Sequence, residues 1–91
     1  MNVVFTGPGR VGGVHVPRRV LELTAYKRGI QVSSFVHGFT NYIVSDKPLG
    51  QCTSNKARAA LAMGVPRITA DQFIEQIGGT VEWPAEDILT A

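Results

Sequence analysis

The chain has a single cysteine, Cys52, which excludes a disulfide framework and any metal site built on several thiolates. Long apolar runs are missing: none approaches the ~18 residues that a membrane-spanning helix needs. No basic stretch followed by an apolar one opens the chain, so neither membrane insertion nor secretion is expected, and a reduced intracellular compartment is. Carboxylates are scarce, seven in 91 residues, and five of them lie beyond residue 67, which leaves little for general acid–base chemistry. Lysine and arginine are absent from residue 68 onward.

What is present suffices for one folded unit. Hydrophobic residues make up 44% and charged residues 18%, which excludes a disordered tail or a fibre. A chain of 91 residues fills one domain and buries roughly 60–65% of its unfolded surface, enough for a core without staples. All nine basic residues lie in 1–67, opposed there only by Glu22 and Asp46, which leaves that region at +7. Residues 68–91 carry Asp71, Glu75, Glu82, Glu86 and Asp87 and stand at −5. Such a split fits a positive face for a phosphate-bearing partner. It equally fits two regions that neutralise each other across the fold, and composition leaves both open.

Along the chain, Val3-Val4-Phe5 is a short apolar run cut off by Thr6-Gly7-Pro8-Gly9, which reads as a buried strand and a loop. The loop continues through Gly12-Gly13 to Pro17, which opens a helix over Pro17–Arg28 that Gly29 stops. Strands are expected over Ile30–Ser33 and Asn41–Ser45, with Phe35–Phe39 ambiguous between them. A second helix is expected over Ser54–Met63, capped by Thr53 or Ser54 and ended by Gly64, with Pro66 preventing its resumption. Arg67–Thr69 reads as a fourth strand. Thr69 and Gln72 form a capping box for a last helix carrying Phe73, Ile74 and Ile77, closed by Gly78-Gly79. The alternation predicts a β-α-β-β-α-β-α fold: one four-stranded parallel sheet flanked by three helices on both faces. Val4, Val32, Ile43, Val44, Ala60, Leu61, Ile68 and Phe73 are expected to form one core. Residues 1–79 read as the domain and 80–91 as a C-terminal tail.

The run Gly7-Pro8-Gly9-Arg10-Val11-Gly12 matches G-x-G-x-x-G after a strand. A dinucleotide site also needs the helix to open at the third glycine and an acid about 20 residues on. Here the helix opens at Pro17 and no acid lies between residues 23 and 45, so no nucleotide cofactor is expected. Cys52, His15 and His37 have neither zinc spacing nor a group to orient them, so no enzyme is expected either. Anion binding remains. Thr6-Gly7 ends the first strand, where open α/β sheets place their ligands, and a threonine hydroxyl beside a glycine N–H suits phosphate oxygens. Lys56 falls in the first turn of the second helix, where a cation opposes the helix dipole and an anion would relieve it. A merely solvated lysine is the plain alternative.

Val4-Phe5-Thr6-Gly7, Arg18 before a helix ending at Gly29, Thr40-Asn41-Tyr42-Ile43-Val44, Ser54-Asn55-Lys56-Ala57-Arg58-Ala59-Ala60, Ala62-Met63-Gly64-Val65-Pro66 and Ile68-Thr69-Ala70-Asp71-Gln72-Phe73 stand in one order over about residues 2–78. In that order they resemble the BRCT domain, and most nearly the subgroup in NAD-dependent DNA ligases, the replication factor C large subunit and bacterial exonucleases. The resemblance implies a module that binds rather than catalyses, without cofactor or metal. Its phosphate site would be Thr6, Gly7 and Lys56, with Arg18 adding a contact to the recessed 5′-phosphate of DNA. Arg10, in the glycine-rich loop, joins this set as a candidate DNA contact. The implied partner is a DNA end or gap, in a cytoplasm or nucleoid if the source is bacterial or phage and a nucleus if eukaryotic. The alternative is a protein adaptor that docks on a replication or repair partner or a phosphopeptide. The chain departs from the family at Gly29-Ile30, where a second glycine is usual, at Phe73, where tryptophan is frequent, and in the long loop over Pro8–Val16.

Overall fold

The computed structural model describes residues 1–52 and 54–84. It is an α/β fold with a four-stranded parallel sheet and three helices. The sheet consists of β1 (Asn2–Phe5), β4 (Gln31–Ser33), β5 (Tyr42–Val44) and β6 (Arg67–Ile68), in the order β4-β1-β5-β6. Strand β1 is buried along its length and pairs in parallel with β4 on one edge and β5 on the other. Helices α1 (Arg18–Lys27), α2 (Asn55–Met63) and α3 (Ala70–Gln76) complete the layers, and a single 3₁₀ turn, Leu49–Gln51, precedes α2.

Side chains alternate across a strand, and the sheet therefore divides the apolar residues into two cores rather than the expected one. Val3, Phe5, Val44 and Ile68 face α1 and α3 and pack with Val20, Leu21, Phe73 and Ile74. Val4 and Ile43 face the other way, onto Val36, Leu49, Ala57 and Ala60. Phe73 is fully buried, edge-on to Phe5 with ring centroids 5.2 Å apart. Val32 is half-buried against the α1–α3 side. Leu61 belongs to neither core and is 56% exposed. It stands about 70° round the helix from the midpoint of the Ala57–Ala60 stripe, and those two small side chains are the buried face of α2.

The segment read as a loop over Pro8–Val16 is instead a β-hairpin, β2 (Gly9–Val11) paired antiparallel with β3 (Val14–Val16). Gly12 and Gly13 both have positive φ, 58° and 81°, as a two-residue I′ turn requires. Gly9 is sterically obligatory at the hairpin's base, since a Cβ there would lie 2.4 Å from Cβ of Ala70. The helix signals behave as expected. Ser54 Oγ accepts from Ala57 N at 3.2 Å and caps α2, while Thr53 lies outside the described residues. Gly64 ends α2 in the left-handed region (φ 71°), and Thr69 and Gln72 form the reciprocal capping box of α3.

Chain direction across the sheet fixes the layers. From β1 the chain moves to β4 on one side, then returns across β1 to β5 and goes on to β6. A constant crossover hand requires the connection to change face when the direction reverses. Accordingly α1 covers one face, while residues 34–41 and α2 cover the other. The crossover over 34–41 contains no helix and is held down by Val36, which is buried between Val4 and α2. Past α3, Val81 packs on the α1 side and the Glu82 N–H donates to Thr24 Oγ1 at 3.0 Å, so this part of the segment expected as tail is seated on the domain. Among the described residues, no helix is long and apolar enough to cross a membrane.

Two stability outcomes follow from this packing. Phe73→Ala should cost about 3–5 kcal/mol, because it empties the contact under Phe5, and urea denaturation measures it. Gly9→Ala should cost about 1–3 kcal/mol by overpacking against Ala70, whereas Gly13→Ala should act only through its positive φ. A Gly9→Ala midpoint equal to that of the unmodified protein would contradict the close approach.

Candidate functional site

In a parallel sheet all strand C-termini open on one edge, and ligands of such sheets sit where neighbouring strands send their connections in opposite directions. Here that point lies between β1, which leads away to β4, and β5, which leads away to β6. A cavity of about 360 Å³ occupies it, lined by Thr6, Gly7, Ser45, Asp46, Lys47 and Ser54, among others. Thr6 follows the last residue of β1, anchored by its N–H to the Val44 carbonyl at 3.1 Å. Its hydroxyl lies 3.3 Å from the Ser54 hydroxyl, the cap of α2. Gly7 has φ 77°, a conformation that favours glycine, and no hydrogen bond among the described residues uses its N–H.

Lys56 is not among the residues that line this cavity. Its Nζ donates 3.1 Å to the Phe5 carbonyl, the carbonyl of the peptide bond to Thr6, so ammonium and Thr6 hydroxyl belong to one small region although 50 residues separate them in sequence. Its pKa is lowered from the ordinary 10.5, chiefly by desolvation and then by the Arg18 guanidinium; Glu22 works weakly the other way. Arg18 is thus brought close enough to act on Lys56 from the first residue of α1, and it pairs with Glu22 at 3.9 Å. Among the described residues, two cations share one carboxylate at this corner.

Arg10 is not gathered into the same group. Its guanidinium donates to the Gly13 carbonyl at the hairpin turn (3.1 Å), so the side chain runs along its own ribbon. The hairpin itself is fixed over the edge by two carboxylates. Asp46 Oδ2 accepts from Arg10 N at 2.6 Å and its Oδ1 from Ala70 N at 2.9 Å, while Asp71 Oδ1 accepts from Gly12 N at 2.8 Å. Asp46 therefore lines the cavity with its charge spent on backbone donors, one of them at the positive end of α3. Arg67 carries no site signal in sequence, yet it donates to the carbonyls of Ser45 and Asp46, both at 2.9 Å, and shapes the loop after β5. Ser54 was legible only as a cap, Ser45 only as the end of the strand expected over Asn41–Ser45, and Lys47 only as a loop residue.

Topology sorts the charges by sheet edge. Arg10, Arg18, Arg19, Lys47, Lys56, Arg58 and the Arg67 guanidinium all stand at the strand C-termini or in the first helical turns that open there, seven of the nine basic residues. Lys27 and Arg28 lie at the opposite end of α1, where Arg28 meets Glu82 at 4.0 Å. Among the described residues, no three of His, Cys, Asp and Glu are grouped so as to hold a metal ion.

Compared with protein-family models, curated proteins and solved structures, the chain matches none.

The sign of the Lys56 shift gives a test. Its folded-state pKa lies below 10.5, so the charged form is disfavoured in the fold, and from the lowered value up to 10.5 the unfolded chain binds more protons. Stability attributable to Lys56 thus rises with pH through that window. Lys56→Met, which keeps the stem, should be at least as stable as the unmodified protein at pH 7, and that advantage should shrink as the pH approaches 10. Thermal denaturation at both pH values reads this; a Met variant clearly less stable at pH 7 contradicts the assignment.

Proposed function

We propose that this chain is a phosphate-binding module of the BRCT type, and that its ligand is a DNA end or gap bound through the 5′-phosphate. The observation that carries the reading is that Thr6, Gly7 and Ser54 line the cavity at the switch point, while the Lys56 ammonium sits on the Phe5 carbonyl, one peptide bond from Thr6. Hydroxyl and amide donors near a cation whose charge is disfavoured by burial and by Arg18 suit an oxyanion, whose charge would favour the protonated lysine. Arg18 adds a second cation on the same side. The wider basic edge supplies phosphate neutralisation along a nucleic-acid backbone, which dominates nonspecific affinity. The site binds and does no chemistry of its own in this reading.

A second reading, an adaptor for a replication or repair partner, draws on a separate feature. A groove of about 850 Å³ runs between α1 and the free edge of β4, lined by Leu23, Tyr26, Ile30 and Val32 with Arg19 and Glu22. An extended peptide could add to such an edge.

The two part in one experiment. A recessed duplex with a 5′-phosphate should bind more tightly than its 5′-hydroxyl twin, and both should weaken steeply with salt. Lys56→Met should remove about 1.5–3 kcal/mol of the phosphate-dependent affinity, the scale of a hydrogen bond to a charged group. Arg18→Ala should weaken DNA more than it weakens inorganic phosphate. Equal affinity for the two duplexes ends the end-recognition reading and leaves the adaptor.

A further inference from the structure

We propose that the free edge of β4, with the groove beside it, is the interface through which two copies of this chain pair about a two-fold axis. The proposal stands apart from the phosphate reading, and it gives this edge to a second copy rather than to an extended peptide. Strand β4 has β1 on one side, and among the described residues no strand pairs with its other side. Gln31 N donates to the Met1 carbonyl at 3.0 Å, so by strand alternation Gln31 and Ser33 turn their backbone groups to β1, and Val32 turns its N–H and C=O outward. Edge strands of natural sheets are shielded by charge, by proline or by extreme shortness. The opposite edge has all three: β6 is two residues long, Pro66 precedes it and Arg67 stands on it. Gln31-Val32-Ser33 carries neither charge nor proline. Beside it runs the groove of about 850 Å³, lined by Leu23, Ile30, Val32 and a Tyr26 that is 77% exposed.

The edge is complementary to itself. Val32 offers one donor and one acceptor, and an antiparallel pair centred on Val32 of each copy exchanges both bonds. The ladder does not lengthen for a peptide, because the Ile30 N–H is already given to the Ala25 carbonyl at 3.0 Å. Apolar contact must therefore supply most of the association, and each copy brings both parts of it, a groove and an exposed tyrosine in its wall. A two-fold axis makes that contact twice, whereas a peptide fills one groove. The charged residues of the lining are one acid and one base, Glu22 and Arg19, so two copies meet without a net like charge. The chain's C-terminal segment is directed elsewhere. It is tied to α1 by the Glu82 N–H on Thr24 Oγ1 and by the Glu82 carboxylate on Arg28, and these two lie about 160° round the helix from Glu22 and Tyr26. Because the paired strands run in opposite directions, the two Thr6–Lys56 corners face opposite ends of the dimer.

Sedimentation velocity of the full chain over a concentration series reads the oligomeric state. The unmodified chain should pass from monomer to dimer as concentration rises. Val32→Pro removes an N–H that points away from the sheet, and Tyr26→Lys removes the exposed ring at the end of α1 where a cation suits the helix dipole. Each should weaken dimerisation about tenfold or more, the effect of losing one well-packed contact. Thermal denaturation verifies the fold of both variants, and Tyr26→Lys, at an exposed position, decides the question alone where Val32→Pro destabilises the sheet. A chain that stays monomeric up to about 1 mM overturns the proposal. So does a dimer indifferent to Tyr26→Lys, which places the contact on another surface. The phosphate reading is judged separately: Tyr26→Lys should keep the preference for the 5′-phosphorylated duplex, and equal binding of the two duplexes by the unmodified chain ends that reading without touching the dimer.

Discussion

Strand β1 is closed off on both faces and hydrogen-bonded on both edges, and the rest of the molecule is arranged by that confinement. Val3 and Phe5 must meet one helical layer while Val4 meets the other, so neither layer alone can complete the core. All four strands run the same way, and every connection has to carry the chain back to the starting edge. The consequence reaches the surface. The residues that follow β1 and β5, and those that open α1, α2 and α3, are delivered to one edge whatever their chemistry.

That edge is then differentiated by what its polar groups are committed to. Asp46 and Asp71 are consumed by backbone N–H groups of the hairpin and of α3, and Arg67 by two carbonyls of the loop after β5. These bonds hold a rigid rim. The other polar groups here are cationic or neutral: Lys47 lines the cavity, Lys56 donates to a single carbonyl, and the hydroxyls of Thr6 and Ser54 pair with each other while Ser54 also caps α2. The Lys56 pKa reports the same imbalance, since desolvation and Arg18 both act against its proton.

Much of this was legible in local sequence because the signals are local. Ser54, Gly64, Thr69 and Gln72 determine their helix ends through bonds spanning a few residues, and tertiary packing had only to accept them. The apolar run Val3-Val4-Phe5 declared a buried strand, the β-branched centre of Asn41–Ser45 another strand, and the strand and helix order implied a parallel sheet. Gly12-Gly13 between valines carried a hairpin signal of the same local kind, but three-residue strands give periodicity too little length to register. Leu61 misled for a related reason. Helical spacing marks an apolar arc, and only the neighbours decide which part of the arc they cover.

By itself the sequence determined where the three helices and the sheet strands lie to within a residue or two, that Val3–Phe5 is a buried strand, and that Thr6-Gly7 ends that strand while Lys56 opens a helix. Those properties depend on backbone geometry and solvent transfer within a few residues of chain. Only the tertiary structure decided that the core is two, that Arg10 stays on its ribbon while Arg18 comes close to Lys56, that Asp46 accepts from the first N–H of α3, and that Phe35 and Phe39 face solvent. Each of these depends on the separation of atoms far apart in the chain, and electrostatic and packing energies are functions of that separation, which no local pattern encodes.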